Sequence, residues 1–420
     1  MRGLITAYRV KTFAWHGFDQ LVVNGIPKLV LLPLLAALLG PAEFGVFVLA
    51  LSVVQSVGLS PSNGFQGWIL RSLEDYPREV WEALTGKAAK WAVLASLPFT
   101  VALLLSPWWA GRIFEAPTVA LVLMGMAPYI LSINYIETTL STKRVTRSFP
   151  VLVRWHSLHL LAIVAAVILF WDGSPARIAW GVSVGSLAFA LGALGGNSTQ
   201  VPRLPGRLVR SARKQALSVW WPMSLSALLG LSAFSIDRVL VGVWLSAELV
   251  ATYFAAASLA SLVSVPFGLI AGWLLTMLGR IGEDFERIRR KWQMAFPLLV
   301  LAIGGLAVLA VFAGPSLLGL FYPELAADSL EVWAVLVLSA AARSAYVVIR
   351  PFVVKLADPR VLPTLTFLSL ITKVSALIIL VPLFGLVGAA YGTLLASIIV
   401  SAAWWISLSV TFSKQTIART

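Results

Sequence analysis

Apolar positions fill this chain in long runs, interrupted by short polar clusters. Twelve runs are long enough to cross a bilayer: 18–39, 43–68, 88–109, 117–141, 150–171, 176–197, 216–241, 249–278, 294–321, 328–350, 360–381 and 384–411. A crossing helix needs about 20 mostly apolar residues. The pattern predicts an all-α integral membrane protein of about twelve transmembrane helices. Most connections are short, so neighbouring helices should run antiparallel, and no extramembrane domain fits between them. The first 17 residues carry Arg2, Arg9, Lys11 and His16 without an apolar core. They read as an amphipathic lead-in on the membrane rather than a cleaved signal peptide.

Composition sharpens this picture. Of 420 residues, 59% are hydrophobic and 12% charged, whereas soluble domains carry about 25% charged residues. A soluble enzyme is excluded. The 17 Trp suit long water–lipid boundaries, and the pairs at 108–109, 220–221 and 404–405 read as interface anchors. With no Cys there is no disulfide, thiolate chemistry or Cys-ligated metal. The net charge of +14 could suggest nucleic acid. If the N-terminus is cytoplasmic, however, 26 of the 32 Lys and Arg fall at cytoplasmic ends and loops, and two, Arg112 and Arg177, fall opposite. That bias predicts cytoplasmic termini and makes the bases topology signals beside anionic lipid.

The most basic loop, 198–215, holds Pro202, Pro205 and Gly206 and divides the runs six and six. This predicts an N-terminal six-helix lobe within residues 1–200, a basic linker at 201–215 and a C-terminal lobe from 216 to 420. The halves echo each other. The first outer hairpin reads Leu39-Gly40-Pro41-Ala42-Glu43-Phe44-Gly45-Val46-Phe47, and its counterpart reads Leu245-Ser246-Ala247-Glu248-Leu249-Val250-Ala251-Thr252-Tyr253. With an even number of spans each, both halves enter the membrane in the same sense, a parallel repeat about an axis along its normal.

Charges inside the spans cost roughly 2.5–3.5 kcal/mol each at mid-depth and need water, a partner or a ligand. Lys28 lies near the centre of the first span. Gln20 and Asn24 precede it at i−8 and i−4, forming one polar stripe, and Pro27 and Pro33 should bend that helix. Similar stripes hold Ser52, Gln55 and Ser56; Ser339, Arg343, Tyr346 and Arg350; and Thr366, Ser369 and Lys373. They should face a shared aqueous cavity. Lys28, Arg343 and Lys373 would then offset a pyrophosphate or acidic sugar; alternatively each pairs with an acid or snorkels. Asp19, Glu137 and Asp237 are candidates for proton or sodium coupling, or structural pairs. His156 and His159 read as an interfacial pair without a third metal ligand, and no cofactor is expected.

Three segments carry a resemblance: Leu39-Gly40-Pro41-Ala42-Glu43-Phe44-Gly45; Trp221-Pro222 with Ser235-Ile236-Asp237-Arg238, Glu248 and Tyr253; and Val381-Pro382-Leu383-Phe384-Gly385-Leu386-Val387-Gly388-Ala389-Ala390. Together they resemble the Wzx-type polysaccharide flippases of the multidrug/oligosaccharidyl-lipid/polysaccharide (MOP) exporter superfamily. Ser246-Ala247 departs from the more usual Gly-Pro. The resemblance implies a V-shaped pair of lobes in a bacterial inner membrane. It also implies alternating-access export of undecaprenyl-pyrophosphate-linked oligosaccharide for O-antigen, capsule or exopolysaccharide. A polysaccharide polymerase and a chain-length regulator are the partners it suggests; nucleic acid is not one.

Rival functions leave weaker traces. No phosphate-cradling G-x-x-x-x-G-K-[ST] loop exists, since Gly86-Lys87 is followed by Ala88. The loops are too short for a membrane enzyme's catalytic groups. A major-facilitator sugar transporter lacks support because its Gly-Asp-Arg-Gly-Arg-Arg type signature is missing from 71–90. A multidrug/cation antiporter of the same superfamily is the main alternative, but it wants an acid-dominated cavity.

Overall fold

The computed structural model describes residues 13–146, 148–196, 205–278, 285–356 and 361–417. The lead-in at 1–12 and the linker residues 201–204 lie outside them. No β-strand occurs among the described residues. The helices are α1 (Phe13–Val57), α2 (Ser60–Ser72), α3 (Trp81–Leu104), α4 (Ser106–Ile113), α5 (Pro117–Val145), α6 (Phe149–Leu169), α7 (Pro175–Gly196), α8 (Gly206–Trp244), α9 (Ala247–Ala260), α10 (Val265–Leu278), α11 (Phe285–Phe321), α12 (Ala326–Leu356) and α13 (Val361–Ile417). Residues 206–215, read from sequence as linker, are the first turns of α8.

Ten apolar stretches among the described residues are long enough to cross a membrane. The spans of 45 residues in α1 and 53 in α13 are too long for one crossing. At 1.5 Å per residue each would exceed twice the ~30 Å hydrocarbon core. Each breaks at a glycine, Gly40 (φ 75°, ψ 167°) and Gly385 (φ 58°, ψ −133°), in backbone regions that L side chains avoid. Past Gly385 the chain doubles back, with Gly388 against the Leu380 carbonyl and Gly392 against Ala376 and Leu377. Ala389 and Ala390 are fully buried in that hairpin. Two of the ten helices thus hold two crossings each, which accounts for the twelve runs of the sequence. No heavy atom crowds the Cβ position of Gly385, so Gly385→Ala isolates the conformational cost. It is expected to destabilise the protein by about 1–3 kcal/mol, read as a lower thermal midpoint in detergent.

The second crossing is also interrupted, at Gly58–Leu59. The buried Asn134 of α5 bridges the gap: its Nδ2 donates to the Gly58 carbonyl (2.6 Å) and its Oδ1 accepts from the Ser62 N–H (2.8 Å). A side chain inserted into the helical ladder is a recognised cause of a kink.

The seam between the halves is built from two antiparallel helix pairs. The first arm of α1 runs against α9–α10: Gly17 packs on Leu269, His16 on Gly272, and Lys28 Nζ donates to Ser261 Oγ at 2.8 Å. The second arm and α2 run against α8. Leu49 packs on Gly242, Ser56 O accepts from Ser232 Oγ (3.3 Å), and Ser60 O accepts from Ser224 Oγ (3.0 Å). These pairings fix the reversal at Gly40, because α8 and α9 run in opposite directions. First crossing on eighth and second on seventh is the reciprocal pattern a two-fold axis along the membrane normal produces. The two echoing hairpins meet on that axis, where a Cβ on Gly45 would overlap the Ala247 carbonyl and Phe44 meets Phe254 edge-on at 5.9 Å.

Two expectations need correction. The polar stripes do not simply line a cavity. Ser339 Oγ donates to Thr393 O (3.3 Å), Tyr346 stacks on Trp404 (5.9 Å) and Thr366 Oγ1 reaches Ser226 (3.4 Å), so these groups zip helices together. Nor do both members of each Trp pair face lipid. Trp108 is 77% exposed and Trp221 62%, whereas Trp404 is 2% exposed. Adjacent helical residues point about 100° apart, so one partner turns inward.

Candidate functional site

Basic residues from both halves converge on the seam. Lys28, on the first arm of α1, lies twelve residues or about 18 Å from the Gly40 turn, close to mid-membrane. It sits in the second of two π-helical turns, Leu21–Gly25 and Pro27–Leu31. Pro27 has no N–H and its ring crowds the preceding turn; the helix widens there, with the Leu32 N–H reaching back five residues to Pro27 O. Single π-turns recur at functional sites. Lys28 lies within electrostatic reach of Arg343 and Arg238.

The second half supplies Arg238 from α8, Arg343 from α12 and Lys373 from α13. The Phe234 ring lies between two guanidinium groups, with Arg238 Cζ 5.0 Å and Arg343 Cζ 4.9 Å from its centroid. Arg238 also faces Phe254 at 5.4 Å and donates to Phe234 O at 3.3 Å. Lys373 Nζ lies 3.1 Å from Asp237 Oδ2, which also accepts from Tyr253 Oη at 3.0 Å. Tyr253 Oη in turn contacts Thr393 Oγ1 at 3.0 Å. Asp237 Oδ1 is 3.8 Å from Arg238 Nε, and both atoms lack a hydrogen-bond partner. Arg238, Arg343 and Lys373 therefore lie near one carboxylate, with Lys28 facing Arg238 and Arg343, and the cations are held largely by aromatic faces, a carbonyl and a hydroxyl. Cation–π contacts supply roughly 0.5–2 kcal/mol each and do not neutralise charge. The cluster is net positive, and guanidinium forks with ammonium point charges suit phosphate oxygens.

The structure thus brings Lys28, Arg343 and Lys373 together. Gln20 and Gln55 are half-buried on α1; the Asn24 side chain lies outside the described residues. Sequence alone does not single out Arg238, because it adjoins Asp237 and neighbouring helical residues diverge. The usable signal was that it is one of only four bases inside the spans.

A second cluster sits in the first half, nearer the basic face. His156 Nδ1 is 2.6 Å from Asp19 Oδ1, and its Nε2 is 3.6 Å from Glu137 Oε1. Arg144 joins Glu137 Oε2 at 2.7 Å and Gln66 Oε1 at 3.0 Å. Asp19 and His156 are buried. Histidine thus links α1, α5 and α6, and the interfacial reading of the His pair was wrong. His159 is also inside, against Ser186 Oγ at 2.9 Å. No group of three or more metal-binding side chains occurs among the described residues. His156→Ala is expected to cost about 3–5 kcal/mol by stranding Asp19, read as thermal unfolding in detergent, with His156→Asn costing less.

Solved structures share this architecture. The eukaryotic MATE transporter AtDTX14 superimposes with a TM-score of 0.72 at 12% identity, over 97% of this chain and 99% of that one. The Vibrio cholerae MATE transporter VcmN, in its bent form, gives 0.68 at 15%, over 97% of each chain. A MOP superfamily transporter from Pyrococcus furiosus, described by the reverse polarity of its binding pocket, gives 0.67 at 14%, over 96% and 95%. At these identities the likeness establishes the fold. No curated protein matches by sequence. The polysaccharide biosynthesis protein family model matches residues 10–275, well over half of the chain, and the chain therefore belongs to the polysaccharide biosynthesis protein family, with a MOP superfamily fold.

Proposed function

We propose that this protein is a flippase carrying undecaprenyl-pyrophosphate-linked oligosaccharide across a bacterial inner membrane for surface polysaccharide assembly. The observation that carries the reading is the group of Arg238, Arg343 and Lys373 around Asp237 at the seam, with Lys28 within reach of Arg238 and Arg343. It suits a diphosphate, while the polyprenyl tail stays in lipid between the lobes. Family membership supports a polysaccharide pathway. The headgroup enters from the cytoplasmic face and leaves outside as the lobes rock; no bond is made or broken. A polymerase and a chain-length regulator would receive the product.

Asp19 and Glu137 are the coupling candidates for a proton or sodium ion, with His156 as the linking group. Asp19 shares α1 with Lys28, and irregular winding lies between. Asp237 is engaged by Lys373 and Tyr253, which favours its structural reading over coupling.

A MATE-like cation antiporter is the second reading, favoured by the buried acids of the first half and by the solved relatives. The net charge at the seam opposes it. The pocket of the Pyrococcus transporter is described as reversed in polarity, so the superfamily fold accommodates more than one charge pattern.

The test is a strain deleted for this gene. Lipid-linked oligosaccharide should accumulate on the cytoplasmic face and surface polymer should disappear, both reversed by restoring the gene. Unchanged intermediates and polymer, with no redundant flippase present, would overturn the reading.

A further inference from the structure

At the basic face the halves are joined by a second apolar cluster, separate from the main core. Trp68, Leu73, Trp81 and Leu84 of the first half pack with Ala212 and Ala216 of α8. Phe65 stacks on Trp220 at 5.6 Å. Helix α8 has 39 residues, about 58 Å, nearly twice what the bilayer core needs. Its first turns, with Arg207, Arg210 and Lys214 exposed, reach beyond the membrane. Tyr76, between α2 and α3, donates from Oη to Gln215 Oε1 at 2.6 Å, and Gln215 Nε2 donates to Asp75 Oδ2 at 3.4 Å. Burial and the neighbouring Asp75 carboxylate push the Tyr76 phenol up, so the hydroxyl keeps its proton and remains a donor.

This junction differs from the one at the opposite face. There Gly45 meets the Ala247 backbone, with Phe44 edge-on to Phe254 beside it. Here alanine faces and a neutral hydrogen bond hold the halves. Pro222 sits inside α8 where the extension meets the membrane crossing; lacking an N–H, it leaves the Ser218 carbonyl without its helical partner and weakens the helix there.

We propose that residues 206–221 form a latch that closes the basic-face mouth of the seam by docking on the 65–92 region, and that it must release for that mouth to open. Release means that Gln215 leaves Tyr76, the Ala212/Ala216 face lifts off Trp81 and Leu84, and α8 yields at Pro222. Contacts at Gly45–Ala247, closed here together with the docked latch, hold while this happens. The proposal rests on alternating access, whatever the cargo.

The chain has no cysteine, so spin labels can be placed without removing any. A basic-face pair, Glu74→Cys with Arg213→Cys, and an opposite-face pair, Glu43→Cys with Glu248→Cys, are measured by pulsed EPR in liposomes. All four positions are exposed. The latch predicts a docked and a separated distance at the basic face. Tyr76→Phe should raise the separated population about fivefold, the effect of one typical hydrogen bond. Ala216→Leu, which overfills a buried site, should do so more strongly. The opposite-face pair should keep its distance when the latch releases. A single basic-face distance unmoved by either variant would overturn the latch. Because no cargo enters the measurement, such a result leaves the flippase reading to its own test.

Discussion

Lys28→Ala should reduce headgroup translocation by about 10- to 100-fold, the range expected when one charge-assisted hydrogen bond to the cargo is lost. The same variant should be at least as stable as the parent. Lys28 Nζ donates to Ser261 Oγ and sits among like charges, and a cation at mid-membrane costs about 2.5–3.5 kcal/mol on insertion scales. Removing it relieves that cost. Loss of function with unchanged or improved stability is the mark of a residue kept for binding. Lys28→Arg should retain part of the activity, because charge is preserved while the point donor becomes a fork. Normal transport by a well-inserted Lys28→Ala protein would remove Lys28 from the site.

Asp237→Asn should behave in the opposite way, costing about 3–5 kcal/mol of stability. Asp237 is the carboxylate facing Lys373 at 3.1 Å and Arg238 at 3.8 Å. Without it these cations remain buried and uncompensated. The double variant Asp237→Asn with Lys373→Met should recover most of the loss, because it removes the stranded ammonium along with its partner. A double-mutant cycle on thermal unfolding measures this coupling. Additive effects would show that the pair does not act as a unit, and would return Asp237 to the coupling candidates.

The contrast between these variants explains which parts of the site could be read in the sequence. Crossings are set by length and hydropathy, so their number and order followed from apolar runs alone. Gly40-Pro41 and Pro382 with Gly385 marked the hairpins because few other residues allow such turns. Lys28, Arg343 and Lys373 stood out because charges are rare in apolar runs. Their convergence did not follow from their spacing, since it depends on how α1 packs against α9 and how α8 packs against α13. Arg238 needed the Phe234 and Phe254 rings to be recognised as part of the cluster. His156 was misread for a related reason. Its distance from the end of the apolar run suggested an interface, while its partner Asp19 is 137 residues away in sequence. Polar stripes were legible as stripes, yet whether a hydroxyl faces water or a neighbouring helix is decided by tertiary packing, as Ser339 and Tyr346 show.

The two clusters share one helix. Asp19 and Lys28 are both on α1, with one π-turn and Pro27 between them and Lys28 itself in the second π-turn. A change in the charge of the Asp19–His156–Glu137 network would alter how the lower part of α1 is held by α5 and α6, and Lys28 would move with it. This makes α1 the element through which ion and cargo would communicate.

The central claim is that the seam binds an anionic headgroup. The direct measurement is transport by purified protein in liposomes, with three cargoes compared: a polyprenyl-pyrophosphate-linked oligosaccharide, a polyprenyl glycoside of the same sugar without phosphate, and a lipophilic cation. Headgroup exposure is read by an impermeant enzyme or lectin, and cation movement by fluorescence. The account predicts rapid translocation of the pyrophosphate-linked cargo, lost in Lys28→Ala, and little movement of the other two. Transport of the cation with no movement of the pyrophosphate-linked saccharide would contradict it and make the protein an antiporter.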